Sequence, residues 1–288
     1  MYGRAYGSFL DKIMTYKHVY QVLASEITIL TDSVEIYDRF KYVSLGVEQV
    51  YDITRKLEYE ITSKNGRYLI TENGKEFGSE SDIDVTLDDL FSKINTKSLD
   101  YMDAHIRIHS GSASYNDKYF LVVGEAEAGK TTFMTSLIYD DFDVHGDELT
   151  LLKNGEIVTY PRKLYIRDTS LPILPEFAKI ADTLPFVWNT PTVRIFAFDP
   201  MVAGKNWKIE PTSLEAIFFI HKNHGSKSRL EECPKYKMVQ QVMTQATAPI
   251  NPDGNWLGDL CKTIDNSKTF DLHLGEIGPA MRLIKEIL

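Results

Sequence analysis

Residues 119–132 read YFLVVGEAEAGKTT, an apolar run closed by a loop that fits G-x-x-x-x-G-K-[ST] from Gly124 to Thr131. The apolar run has the length of a buried strand. The stretch after the loop, TTFMTSLIY, carries apolar residues at 133, 134, 137 and 138, one face of a helix. Strand, glycine-rich loop and amphipathic helix in that order are the context this Walker A pattern requires. Gly124 and Gly129 permit backbone torsions that curl the chain until consecutive N–H groups converge on phosphate oxygens. Lys130 supplies positive charge for β- and γ-phosphates, the Thr131 hydroxyl is a Mg²⁺ ligand, and Thr132 begins a helix whose positive end faces the anion. The intervening residues are Glu125, Ala126, Glu127 and Ala128, which sets two carboxylates where a triphosphate would sit. Such positions engage phosphate through backbone N–H groups, so both glutamate side chains are expected to face solvent or pair with Lys or Arg. Turned inward, each would repel the triphosphate by several kcal/mol.

Working outward, strands dominate and helices stand between some of them, which predicts a mixed α/β fold. Residues 18–31 and the alternating runs around Asn65-Gly66 read as strands of a small N-terminal α/β unit. DVTLDDLFSKI (84–94) opens as a helix, and 94–104 reads as a linker, placing a domain boundary near residue 98. The expected organisation is an accessory domain over 1–98 and a catalytic domain over 99–288. Within the latter, HIRIHSG leads through a turn at 115–118 into YFLVV. Then follow DDFDVHGDELTLL, a hairpin around Asn154-Gly155, YPRKLYIRD, short strands at 193–198 and 215–220, and a closing helix.

The chain has 288 residues, 43% hydrophobic and 25% charged, an ordinary soluble composition. No apolar run approaches the ~20 residues of a membrane span, and the first residues carry no signal-peptide pattern. The formal charge of −9 argues against nucleic acid as a partner. Two cysteines, Cys233 and Cys261, are too few for a disulfide scaffold and point to reduced thiols in the cytoplasm.

A phosphate loop defines a binding mode and not a reaction. No N-K-x-D guanine motif follows it, nor a transport-type LSGGQ signature. Acids instead cluster 17 and 18 residues beyond Lys130, at Asp147 and Glu148 in VHGDELTLL, and His109 lies 21 residues before it. The order IHSG, then GKTT, then GDELTLL with a hairpin and YPRKLYIRD resembles the HPr kinase/phosphorylase family of the phosphoenolpyruvate carboxykinase-like superfamily. The resemblance covers about residues 104–170 by motif and 190–245 more loosely. It implies a strand-rich phosphate-loop kinase domain whose active site is formed by His109, Lys130, Thr131 and the pair Asp147–Glu148. It also implies ATP, or another nucleoside triphosphate, with Mg²⁺, and suggests self-association into a homo-oligomer.

Phosphoryl transfer asks mainly for placed charge. Asp147 is expected to take the proton of an attacking hydroxyl, with Thr131 and Glu148 on the metal and His109 orienting Asp147. Arg162 and Arg167 are either phosphate contacts or solvated strand-edge charges, and HKNHGSKSR (221–229) either receives an anion or nucleotide or is a solvated loop. The expected function is a kinase acting on a hydroxyl of a peptide, small protein or metabolite. The alternative is a nucleotide-binding regulatory or scaffold protein without transfer. A hydrolytic ATPase or GTPase is disfavoured by the absent motifs.

Overall fold

The computed structural model describes residues 16–184, 186–189, 192–205, 208–252 and 254–288. At its centre the strand Lys118–Gly124 runs parallel to Ala216–Lys222, which runs parallel to Lys268–Leu274. Ser110–Tyr115 and Asp143–Gly146 extend this sheet on one side and Arg229–Glu232 on the other, giving six strands. The continuous apolar sequence of the central strand follows from burial on both faces. Phe120 and Val122 point into one apolar cluster with Phe133, Met134 and Leu137 of the helix Lys130–Ile138. Leu121 and Val123 point into another, with Ile106, Leu152 and Ile157 of a second, five-stranded sheet and with Met238 and Leu260 of two covering helices.

The second sheet consists of Thr212–Ser213, Glu156–Thr159, Thr150–Lys153, Ile106–Ile108 and Ala246–Thr247, all antiparallel. A third sheet, also of five strands, belongs to the N-terminal unit: Tyr16–Val22, Ser25–Thr31, Arg55–Lys64, Arg67–Glu72 and Lys75–Glu80. The hairpin turns expected at Asn65-Gly66, Asn116-Asp117 and Asn154-Gly155 are present. Both residues of each have positive φ, the torsions that suit the twist of a two-residue hairpin.

The expected linker over 94–104 is instead mostly helix. The helix opens at Asp82, whose side chain accepts from the Asp84 N–H at 2.7 Å, and continues to Leu99, followed by a 3₁₀ turn at Asp100–Met102. Thr86, Leu90, Ile94 and Ser98 form one buried stripe at intervals of four. Ser98 and Asn95 are small and polar, so composition conceals the last turn. The N-terminal unit shares one apolar cluster with the rest of the chain, from Ile27 and Phe40 through Phe120 and Phe198. Polar ties cross as well: Tyr160 Oη donates to Asn95 Oδ1 (2.6 Å), Tyr42 Oη to the Ala197 carbonyl (2.6 Å), and Lys163 Nζ to the Tyr42 carbonyl.

The strand Asp143–Gly146 changes register between Val144 and Gly146, just before the acid pair. A Cβ at Gly146 would stand 2.5 Å from Thr159 Cγ2, and Thr159 is itself buried and bonded to Ser112. Gly146→Ala is therefore expected to cost about 1–3 kcal/mol through overpacking, read as a lowered midpoint in urea. Among the described residues no helix is long and apolar enough to cross a membrane.

Candidate functional site

The two sheets exchange chain at two places, and the candidate residues stand there. His109 lies between Ile106–Ile108 of the second sheet and Ser110–Tyr115 of the first; Asp147 and Glu148 lie between Asp143–Gly146 of the first and Thr150–Lys153 of the second. Register brings both crossings to one edge. Ser110 pairs with Val123, the residue before the loop; Gly146 pairs with Ser112, and Thr150 with Ile108. The glycine-rich loop leaves the central strand at that same edge, where open parallel sheets form ligand crevices.

Loop geometry follows from its glycines. Gly129 takes φ +97° and caps the helix Lys130–Ile138, and a Cβ at Gly124 would meet the Ile220 carbonyl at 3.0 Å. Glu127 also has positive φ, at 61°. Glu125, Ala126 and Glu127 are exposed while Ala128 is buried, so both glutamates reach solvent as expected. Lys130 is buried, and its ammonium donates to the carbonyls of Gly124 (2.7 Å) and Glu125 (3.1 Å), which uses two of its three donors. Burial lowers its pKa, against the opposing charges of Glu148 and Asp147. Thr132 Oγ1 lies 3.1 Å from Ser170 Oγ.

Asp147 is buried beside Thr131, whose hydroxyl hydrogen-bonds it. Burial, assisted by the charge of Glu148, pushes the Asp147 carboxyl up to about 6 against the lowering effects of Arg162, the Thr131 bond and Lys130. Glu148 is half-exposed and lies between two groups: His109 Nδ1 is 3.9 Å from Oε1, and Arg162 Nη1 is 3.6 Å from Oε2. His109 thus faces Glu148, whereas the expectation set it against Asp147. Its backbone N–H is pinned by the Gln245 carbonyl at 2.8 Å. Burial, with Lys130 and Arg162 nearby, lowers its pKa against the pull of Glu148.

The two arginines, equal in sequence, separate in space. Arg162 reaches Glu148 and stacks over Tyr165, 3.9 Å from the ring centroid. Arg167 is exposed at the end of its strand and makes no ion pair among the described residues. Sequence reasoning missed Tyr165 and the Gln245 anchor; a backbone carbonyl leaves no signal in residue types, and Tyr165 reads as an ordinary strand residue.

The acceptable oxygen donors for a divalent ion are the Thr131 hydroxyl and the carboxylates of Asp147 and Glu148. Among the described residues no three His, Cys, Asp or Glu side chains group to cage a metal. One or two carboxylates with substrate phosphates are the donor set that suits Mg²⁺, so these residues fit it.

No family model matches the chain, and no curated protein matches it. Among solved structures, the Hpr(Ser) kinase/phosphatase from Coxiella burnetii is similar at 13% sequence identity. The match covers 62% of this chain and 92% of that chain, with a TM-score of 0.24. At that score the likeness carries no weight for the site.

Proposed function

We propose that the chain is a Mg²⁺-dependent phosphotransferase that moves the γ-phosphoryl group of ATP to a hydroxyl of a peptide, small protein or metabolite. The observation that carries this is the convergence of Lys130, Thr131, Asp147, Glu148, His109 and Arg162 on one sheet edge, from four segments of chain. Loop amides and Lys130 hold the phosphates. Asp147 takes the proton of the attacking hydroxyl on whichever carboxylate oxygen Thr131 leaves free, and a carboxyl near 6 is ionised at pH 7 yet basic enough to accept it. Cationic Arg162 holds Glu148 by charge, with the His109 ring on its other oxygen's side. Bound Mg²⁺ would offset charge on the phosphate oxygens, with Thr131 and Glu148 as its protein donors.

The test is γ-labelled ATP incubated with the protein and host lysate, products resolved by size. A labelled peptide, protein or metabolite that vanishes in Lys130→Ala is the expected result. Nucleotide-induced thermal stabilisation with no labelled product would favour a nucleotide-binding regulatory protein instead, and steady phosphate release without an acceptor would favour a hydrolase.

The division between the two carboxylates has its own readout. Glu148→Gln should raise the Mg²⁺ concentration at half-maximal rate by about tenfold, one charge-assisted contact's worth, while Asp147→Asn should lower kcat at saturating Mg²⁺. The opposite pattern would exchange their roles.

A further inference from the structure

On the side of the six-stranded sheet covered by the helix Lys235–Met243, a second polar cluster stands apart from His109, Asp147 and Glu148. Its centre is Asp271, 3% exposed. Asp271 accepts hydrogen bonds from His221 Nε2 (2.6 Å), Lys237 Nζ (2.7 Å) and Gln241 Nε2 (2.8 Å). Burial would raise its pKa, but these three bonds hold the carboxyl well below the usual carboxylate range. With Nε2 committed to Asp271, His221 Nδ1 has no protein partner among the described residues, and the side chain is 34% exposed. Nδ1 is therefore the ring nitrogen left for a ligand. Asp271 thereby fixes the orientation of the His221 ring.

His221 opens onto a cleft of about 470 Å³. One wall is the glycine-rich loop itself, Glu125 to Ala128; the other is Phe219 to Lys222 with Gln241 and Thr244. Strand and loop are pressed together along this line: a Cβ at Gly124 would meet the Ile220 carbonyl at 3.0 Å, and one at Gly129 would lie 3.9 Å from His224 Nε2. The Gln241 amide is engaged, its Nε2 donating to Asp271 and its Oε1 accepting from Cys233 Sγ at 3.4 Å. What remains is two exposed carboxylates, Glu125 and Glu127, and one imidazole nitrogen, with Lys222 the one cation in the lining. This lining disfavours phosphate and carboxylate groups and suits an uncharged, donor-rich molecule.

We infer that the cleft holds the nucleoside half of the donor, its ribose hydroxyls and the amino group of its base meeting Glu125, Glu127 and His221 while the loop holds the phosphates. The inference rests on the reading of the loop given under Proposed function. A basic acceptor peptide would also match the charge, but the nucleoside is covalently tied to the phosphates and must lie within one sugar's length of the loop that forms this wall. Carboxylates accepting ribose hydroxyls are an established solution in other nucleotide sites. The loop glutamates thereby acquire a use: they face away from the phosphates and toward the sugar.

The experiment compares Mg·ATP with Mg·tripolyphosphate by calorimetry on the full chain, in wild type, His221→Ala and Thr244→Trp. Thr244 is an exposed residue at the C-terminal end of its helix, so Thr244→Trp fills the cleft without burdening the core. His221→Ala is expected to weaken ATP binding about tenfold, the loss of one polar contact, Thr244→Trp to weaken it at least as much by occupying the cleft, and both to leave tripolyphosphate binding within twofold. Equal weakening of both ligands, or unchanged ATP binding in both variants, overturns the inference alone. Unchanged ATP binding with a raised acceptor KM would give the cleft to the acceptor. Tripolyphosphate that fails to bind wild type, or binds Lys130→Ala as well, overturns the phosphate-loop reading and this inference with it.

Discussion

Asp147→Asn is expected to abolish phosphoryl transfer and, at the same time, to make the fold more stable at neutral pH. The carboxyl is raised from its ordinary value of 3.8 to about 6, chiefly by burial. A raised carboxyl favours the folded state when protonated. Its contribution is fully present below pH 3.8 and is lost as pH rises through about 6, so above that the ionised group costs the fold on the order of 3 kcal/mol. That cost is already net of the attraction of Arg162, Thr131 and Lys130, so asparagine should gain up to about 3 kcal/mol at pH 8. Thermal melts of the two proteins should coincide near pH 4, separate as pH rises to about 6, and keep a constant offset above it. In the wild type the rate should fall about tenfold per pH unit below 6, as the base protonates. Full activity in purified Asp147→Asn would end its assignment as base; an unchanged melting point at pH 8 would show that the carboxylate is not strained by burial.

Lys130→Ala is expected to lower transfer by on the order of 10³-fold, the scale of removing one fixed positive group from a phosphoryl-transfer site. Loss of nucleotide binding should accompany it. Wild type at a hundred times its Kd gains about 2.7 kcal/mol from the ligand, and this thermal shift should vanish in the variant. The fold should bear the change at a cost of about 1–3 kcal/mol, because the exposed Glu125 carbonyl can be hydrated whereas the buried Gly124 carbonyl loses this donor. A variant that retains the thermal shift would show that Lys130 never leaves the carbonyls of Gly124 and Glu125 to meet the phosphates.

Local rules made much of the fold legible. The central strand, the three hairpins with positive φ at both turn residues, and the helix after the loop are each specified within ten residues. The helix Ile83–Leu99 overran its expected end because its last buried position is Ser98, where packing outweighs a polar composition. At the site, residue types and their order marked His109, Lys130, Asp147 and Glu148. Which of them touch is a matter of register, Ser110 on Val123 and Thr150 on Ile108, and no spacing along the chain encodes it. Hence residue order predicts neither the approach of His109 to Glu148 nor the separation of Arg162 from Arg167. The network of His221, Lys237, Gln241 and Asp271 was invisible for the same reason, being drawn from two strands and a helix fifty residues apart.

His109 and the acid pair both occupy places where the backbone leaves one sheet for the other. The spacing between carboxylates and loop lysine is accordingly an angle, the dihedral between two slabs, and the filling between the slabs acts as its shim. Thinning that filling with Ile157→Val, a core residue of the same apolar cluster as Leu121 and Phe219, should cost only about 0.5–1.5 kcal/mol of stability. A tilt of a few degrees carries the carboxylates with it, so turnover should respond more steeply than the melting point. On this reading the fine adjustment of the proposed chemistry falls to apolar residues between the two sheets.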